Sequence, residues 1–429
     1  MRRFLIHIAV FGITLLALWM FLICSALIPN ESIKQNMEKS ALSYGTVDAF
    51  NFENAEYLNA VSDNYADCIL LSVSYYMGEG NALFATLDSS YYRGENDLIG
   101  VNQAFLKTVT EEVAPDTDYS RYWHGTAAFA RVIHLFGDVR SVKAFGFAAF
   151  VLFALVTVIM LLKQKNFKSA LALTAAILCI HPWNLSLSME YQSPFIICFL
   201  LCPFYLYFER RNANVLTLIS VIGGVATAFF DFLTCETVAI LIPVLLVISV
   251  RIEENRFTDI KKEAKLAFYC IAAFGISWAA TFALKWGLAS PITGENKFAI
   301  ALSSAQIHTT GTQESARGLI FLAPLANLTV LFCGSTRLDI PRVFVTLFII
   351  ALILISVLYL FGKKNLKRGQ MLLPISLGCA VFLRYAILNY HSYMHEFFTY
   401  RALIAPIFAI FASTLFCLEF KTGKRGHRR

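Results

Sequence analysis

The 429-residue chain is short of charge. Asp, Glu, Lys and Arg make up 15% of it and apolar residues 57%, whereas soluble domains carry about 25% charged residues. That shortage excludes an ordinary soluble globule. The ~10-residue alternating segments of a transmembrane β-barrel are missing too, which excludes that class. The ten cysteines include no CxxC pair. Most of them, such as Cys24, Cys179, Cys198, Cys202, Cys270 and Cys417, fall inside apolar runs, where Cys acts as a small buried hydrophobe. Cys68 is alone in the large polar segment, so no disulfide closes within it. There is no internal repeat, low-complexity tract or flexible linker.

What is present is a series of continuous apolar runs. They predict an all-α polytopic membrane protein, because helices satisfy their own backbone hydrogen bonds in hydrocarbon. About ten transmembrane helices are expected, at roughly 4–28, 142–162, 169–187, 193–208, 214–230, 235–250, 266–288, 344–361, 371–388 and 400–418, each near the ~17–25 residues a crossing needs. The first run is longer than the ~7–15 residues of a signal-peptide core and no A-x-A site follows it, so it reads as a retained helix.

The run "ARGLIFLAPLANLTVLFCGS" is apolar but holds Pro324 and Asn327. If 316–334 crossed, the basic cluster "KKNLKR" (363–368) would fall outside. The positive-inside rule favours a re-entrant or interfacial helix there. Both termini are then cytoplasmic, and the inner turns collect 21 of the 36 Lys and Arg but 6 of the 29 Asp and Glu. The expected organisation is one membrane domain (1–429) in the cytoplasmic membrane. It carries an extracytoplasmic cap (29–141), a second long outer loop (289–343) and a basic cytoplasmic tail (419–429).

On this topology the outer face gathers the polar chemistry: "SDNYADCILL" (62–71), "DYSRYWHG" (118–125), "NLSLSMEYQS" (184–193), "FFDFLTCE" (229–236), "IHTTGTQESARG" (307–318) and "NYHSYMHEFFTYR" (389–401). Asp63 and Asp67 are spaced i, i+4, so on a helix both carboxylates share a face. Such a pair suits a divalent cation or a substrate proton held between them; the alternative is a solvated helix face. Arg121, Tyr122, Trp123 and His124 make a candidate pyrophosphate or sugar pocket, with Arg121 and His124 at i, i+3. The alternative is an interfacial aromatic belt.

Asp231 and Glu236 bracket a short turn between spans, where carboxylates are costly unless paired or wet. Arg384 is a candidate partner for one of them, and Lys285 is similarly placed. His391 and His395 repeat the i, i+4 spacing, but the order H-x-x-x-H-E is not the H-E-x-x-H of zinc proteases. Arg401, at the start of the last span, is placed for a lipid-linked phosphate, unless it snorkels to ordinary headgroups.

The long first outer segment carrying Asp63 and Asp67, the late second outer loop and the polytopic helical build resemble the C-type integral-membrane glycosyltransferases. The resemblance covers nearly the whole chain at the level of architecture. It implies a polyprenyl-phosphate sugar as donor, a cell-envelope glycan or protein as acceptor, and an acidic residue of the first loop, Asp63 or Asp67, as base or metal ligand. This chain has "DNYAD" some ~30 residues past the first span, whereas the family often places adjacent or D-x-D-like acids early in that loop. The rival readings are a transporter or flippase, which would want charged or broken helices at mid-membrane, an envelope polymer ligase or acyltransferase, and a non-catalytic scaffold.

Overall fold

Twenty α-helices, three short 3-10 helices and one two-residue ladder are the regular elements of the described residues. The structure is a computed structural model and describes residues 2–51, 57–94, 100–310, 316–334, 340–362 and 368–417. The basic cluster at 363–367, the tail 419–429 and positions 311–315 fall outside the described residues.

Helix α1 (Arg2–Ala26) is long, apolar and mostly exposed along its sides. A polar cap follows, built from α2 (Asn30–Gly45), α3 (Asn64–Tyr76), α4 (Ala82–Asp88), α5 (Gly100–Thr110) and α6 (Gly125–His134). Strands β1 (Ser90–Tyr91) and β2 (Thr117–Asp118) pair antiparallel within it. Then α7 (Val139–Lys163), α8 (Phe167–Cys179), α9 (Met189–Phe208), α10 (Ala213–Phe230), α11 (Val238–Glu253) and α12 (Ile260–Thr293) run back and forth. After α13 (Lys297–Thr310) and α14 (Ala316–Cys333) come α15 (Ile340–Gly362), α16 (Arg368–Gly378), α17 (Val381–Ile387), α18 (Asn389–Met394), α19 (Glu396–Thr399) and α20 (Ile404–Cys417).

The chain is therefore an all-α polytopic membrane protein. Among the described residues eight helical stretches are long and apolar enough to cross a membrane. Two of them are compound: α16 with α17, and α19 with α20. The expected spans at 169–187 and 235–250 are α8, of 13 residues, and α11, of 16. Helix α11 is buried on every side from Val238 to Ile252, the pattern of a helix at the centre of a bundle. Helix α15 is its opposite, exposed along most of its length.

Helices α10 and α12 cross closely because Gly224 leaves room; a Cβ there would run into the Phe274 carbonyl and Ser277 Oγ. Small residues at such crossings let backbones approach. The end of the bundle away from the cap is tied by charge. Arg251 bonds Glu209 at 3.2 Å and Glu263 at 2.6 Å, and Arg256 bonds Glu209 at 2.5 Å and Glu254 at 2.7 Å. Glu253 accepts from the backbone N–H groups of Lys168 and Ser169, at 2.8 and 2.9 Å. A carboxylate is favoured at that helix N-terminus.

Helix α14 stays at the cap end. Gly334, just past it, accepts from Leu58 N at 2.8 Å. Asn327, in its middle, donates to the Ser392 carbonyl at 2.8 Å and accepts from Thr399 Oγ1 at 2.8 Å. The helix also reaches α15, where Thr346 Oγ1 donates to Thr329 Oγ1 at 3.3 Å.

Candidate functional site

The cap-end polar residues converge on a buried centre. Asp63 is the N-cap of α3, its Oδ1 accepting from Ala66 N at 2.8 Å. Asp67 sits one turn on, 1% exposed. The two acids share a region but not an environment. Asp67 accepts from Tyr44 Oη at 2.8 Å, Ser188 Oγ at 2.8 Å and Met189 N at 2.9 Å, and Lys143 Nζ lies 2.7 Å from its Oδ2. Lys143 pairs with Asp67 and not with Asp63, and Asp67 pins the cap to the starts of α7 and α9. Asp63 forms no ion pair among the described residues. Its carboxyl group meets that of Glu190, and burial pushes its pKa up to about 7.

Glu190 lies one residue inside α9, buried, with Oε1 lacking a partner. It belongs to the stretch 184–193, one of the polar segments expected at the outer face. The signal was available: a lone carboxylate opening a long apolar run is costly unless it is used.

Asp231 caps the end of α10, and its Oδ1 accepts from the Thr234 backbone N–H at 3.3 Å and from the Thr234 hydroxyl. Burial, then the nearby Glu236, pushes its pKa up to about 7. Arg384 is the partner of Glu236, with Nε 3.0 Å from Oε1. The same guanidinium donates to Ser392 Oγ at 2.9 Å and to the carbonyls of Leu233 and Thr234, at 2.5 and 3.1 Å. Asp231 Oδ2 and Glu236 Oε2 remain buried and unpartnered.

Beside Ser392 stand three imidazoles. His391 and His395 have ring centres 4.7 Å apart, as their i, i+4 spacing predicts, and His308 of α13 comes 5.0 Å from His391. Burial holds all three pKa values down, His308 and His395 to about 4 and His391 well below its usual value. Each carries a buried ring nitrogen without a partner. His308 belongs to the stretch 307–318 expected at the outer face. Among the described residues no group of three or more His, Cys, Asp or Glu is arranged to hold a metal ion.

An aromatic wall joins the imidazoles to the acids. His395 stacks on Phe398 at 5.3 Å, and Phe398 lies 5.6 Å from Tyr191, which follows Glu190. Arg401 sits over Tyr191 at 4.7 Å and donates to the carbonyls of Asn59 at 3.1 Å and Phe397 at 3.3 Å. It is fully buried, so it ties the first loop to the last span rather than reaching for headgroups.

The segment "DYSRYWHG" is arranged differently from the helical reading. Residues 119–124 are not helical, and His124 has a left-handed backbone with φ 58°. Its Nε2 faces the Tyr119 carbonyl at 2.8 Å, and burial lowers its pKa to about 3. Trp123 is fully buried, donates to the Thr281 carbonyl at 2.8 Å and stacks on Phe229 at 5.4 Å. Tyr122 packs edge-on against Phe282 at 6.1 Å. These aromatics lock the cap onto α10 and α12. Arg121 lies over the Tyr119 ring at 4.3 Å, and its Nε is buried without a partner. Lys285 is also structural in its contacts, donating to Thr86 O at 2.7 Å and Ser89 Oγ at 3.2 Å.

Fold and site together define a polytopic helical membrane protein with a buried acid and imidazole centre under a helical cap. No protein-family profile, curated protein or solved structure matches the chain.

Proposed function

We propose that the chain is a glycosyltransferase-like enzyme that moves a sugar from a polyprenyl-phosphate donor to a cell-envelope acceptor. It acts at the outer face of the cytoplasmic membrane, with both termini in the cytoplasm. The observation that carries the reading is the meeting of Asp63 with Glu190, together with carboxylate oxygens of Glu190 and Asp231 and ring nitrogens of His308, His391 and His395 left buried and unpartnered. Native proteins rarely leave such groups unsatisfied without a use for them. Perturbed carboxyls at such a centre are candidates for acid–base work.

Asp63 is the base in this reading. A carboxylate whose pKa sits near 7 takes a proton well at neutral pH. It removes the proton of the acceptor hydroxyl while that oxygen bonds to the anomeric carbon. The bond from that carbon to the phosphate oxygen breaks, and the phosphate leaves with the electron pair as polyprenyl phosphate. The imidazoles of His308, His391 and His395, with Arg121, donate hydrogen bonds to the departing phosphate. Asp67 serves by position, through Lys143 and the α9 start. Exposed apolar side chains of α14, Ile320, Phe321 and Leu322, supply lipid-facing surface beside α18 for the isoprenoid tail.

The test uses the purified chain in nanodiscs with polyprenyl-phosphate sugars, following release of polyprenyl phosphate. The wild type should release it and Asp63→Asn should not, with both proteins folded. Equal release from both would reject Asp63 as base, and no release from the wild type with any donor would reject the transferase reading. Reporter fusions at Lys165 and Glu295 test sidedness, the first expected in the cytoplasm and the second outside.

A further inference from the structure

Helices α1 and α12 both pack on α10, and a groove runs between them over the first half of α10. It encloses about 870 Å³, within the ~300–1,000 Å³ range of small-ligand pockets. Phe4 and Phe11 wall it on one side, Tyr269 and Ile276 on the other, and Leu218 and Val221 form its floor. Ala272, Ala273 and Ala280 keep it wide, because their side chains are single methyl groups. All three helices are long and apolar enough to cross a membrane, so the groove opens toward acyl chains.

The polar groups of the groove gather at one end. Arg3, His7, Asn214 and Thr217 line it at the starts of α1 and α10. His7 is fixed there, with Nε2 2.9 Å from Thr217 Oγ1 and Nδ1 2.8 Å from the Arg3 carbonyl. This end lies away from the cap. At the other end of α10, Phe229 stacks on Trp123 of the cap, and at the other end of α1 the Ser25 carbonyl accepts from Arg131 at 3.0 Å.

The available charge at this end has one sign. Arg3 lines the groove, Arg211 precedes α10, and Lys265 stands over the Tyr269 ring at 5.7 Å. None of the three forms an ion pair among the described residues. The acids of the same turns, Glu209 and Glu263, are already bound by Arg251 at 3.2 and 2.6 Å.

We infer that this groove holds a chain of an anionic phospholipid, with the lipid phosphate at the Arg3 end. The site is separate from the acid and imidazole centre and does not depend on the transferase reading. An acyl chain covers the apolar walls, and the guanidinium donates charge-assisted hydrogen bonds to the phosphate. Clustered basic side chains at a membrane surface favour anionic over zwitterionic lipid. A soluble phosphate would use the basic end and leave the apolar walls uncovered, so a lipid is the ligand that satisfies both.

Native mass spectrometry of the full chain, released from detergent, tests the site by counting bound lipid. The probes are dioleoyl phosphatidylglycerol and dioleoyl phosphatidylcholine, titrated separately. The glycerol lipid should bind about tenfold more tightly than the choline lipid. Arg3 is exposed, so Arg3→Ala keeps the fold. It should weaken the glycerol lipid by about fivefold, the loss of one basic group near a membrane surface, and leave the choline lipid unchanged. Ala273→Phe fills the groove and should weaken both lipids; if that variant unfolds, Arg3→Ala decides alone. Equal affinity for the two lipids, or a preference that survives Arg3→Ala, would overturn the inference. So would a lipid-free dimer that Ala273→Phe splits, which would give the groove to a second copy of the chain.

Discussion

Lys143 Nζ lies 2.7 Å from Asp67 Oδ2. This contact separates two acids that sit one helical turn apart. Asp67 has a lysine ammonium and three hydrogen-bond donors on its oxygens, whereas Asp63 meets another acid, Glu190.

Asp67→Asn should therefore cost stability. It leaves the Lys143 ammonium, 17% exposed, without its counter-charge, a loss of about 3 kcal/mol for a buried pair. Thermal unfolding in detergent should report it. Asp63→Asn should keep the melting temperature and lose about a hundredfold or more in donor turnover, the size expected when a general base is removed. If Asp67→Asn left stability untouched, the pinning role would be wrong.

The pH profile should carry the sign of Asp63. Its pKa is raised to about 7, and the base must be ionised to act, so turnover should rise as pH rises through about 7. Stability moves the other way. A carboxyl with a raised folded pKa stabilises the fold fully below its unfolded value and loses that contribution as pH climbs toward the folded one. The histidines oppose it at the acid end. His308 and His395, lowered to about 4, stabilise the fold above the ordinary imidazole range and lose this as pH falls toward 4. The wild type should lose stability relative to Asp63→Asn as pH climbs toward 7, and parallel melting profiles of the two proteins would contradict the assignment of Asp63.

Arg384→Lys should not rescue Arg384→Ala. The guanidinium bonds Glu236, Ser392 and two backbone carbonyls at once, and a single ammonium cannot hold that fork of partners. Both variants leave buried carboxylate charge exposed to its neighbours, at about 3–5 kcal/mol. Expression and unfolding temperature are the readouts, and recovery by lysine would mean that charge alone suffices.

Gly224→Ala should destabilise the bundle without touching the centre. The added methyl meets a backbone carbonyl of α12, which cannot move as a side chain would, so about 1–3 kcal/mol is expected from overpacking. An unchanged unfolding temperature would mean that α10 and α12 separate easily.

The apolar runs could be read along the chain because hydrocarbon imposes a local requirement: each crossing must close its own backbone hydrogen bonds, so its length and apolarity are written in consecutive residues. That requirement made the helical class and most of the long apolar helices legible, although the expected spans at 169–187 and 235–250 are helices of 13 and 16 residues. The i, i+4 meeting of His391 with His395 was legible for the same reason.

The division of labour in the centre was not. Asp63 and Asp67 have the same spacing to each other whichever one is neutralised, and the lysine that decides it comes from another helix. Arg401 reads by position as a candidate for a lipid-linked phosphate, yet it bonds a carbonyl 342 residues away in sequence. His308 meets His391, and Glu190 meets Asp63, by packing between distant elements. Charge pairing and burial depend on distance in space, which only the tertiary structure decides.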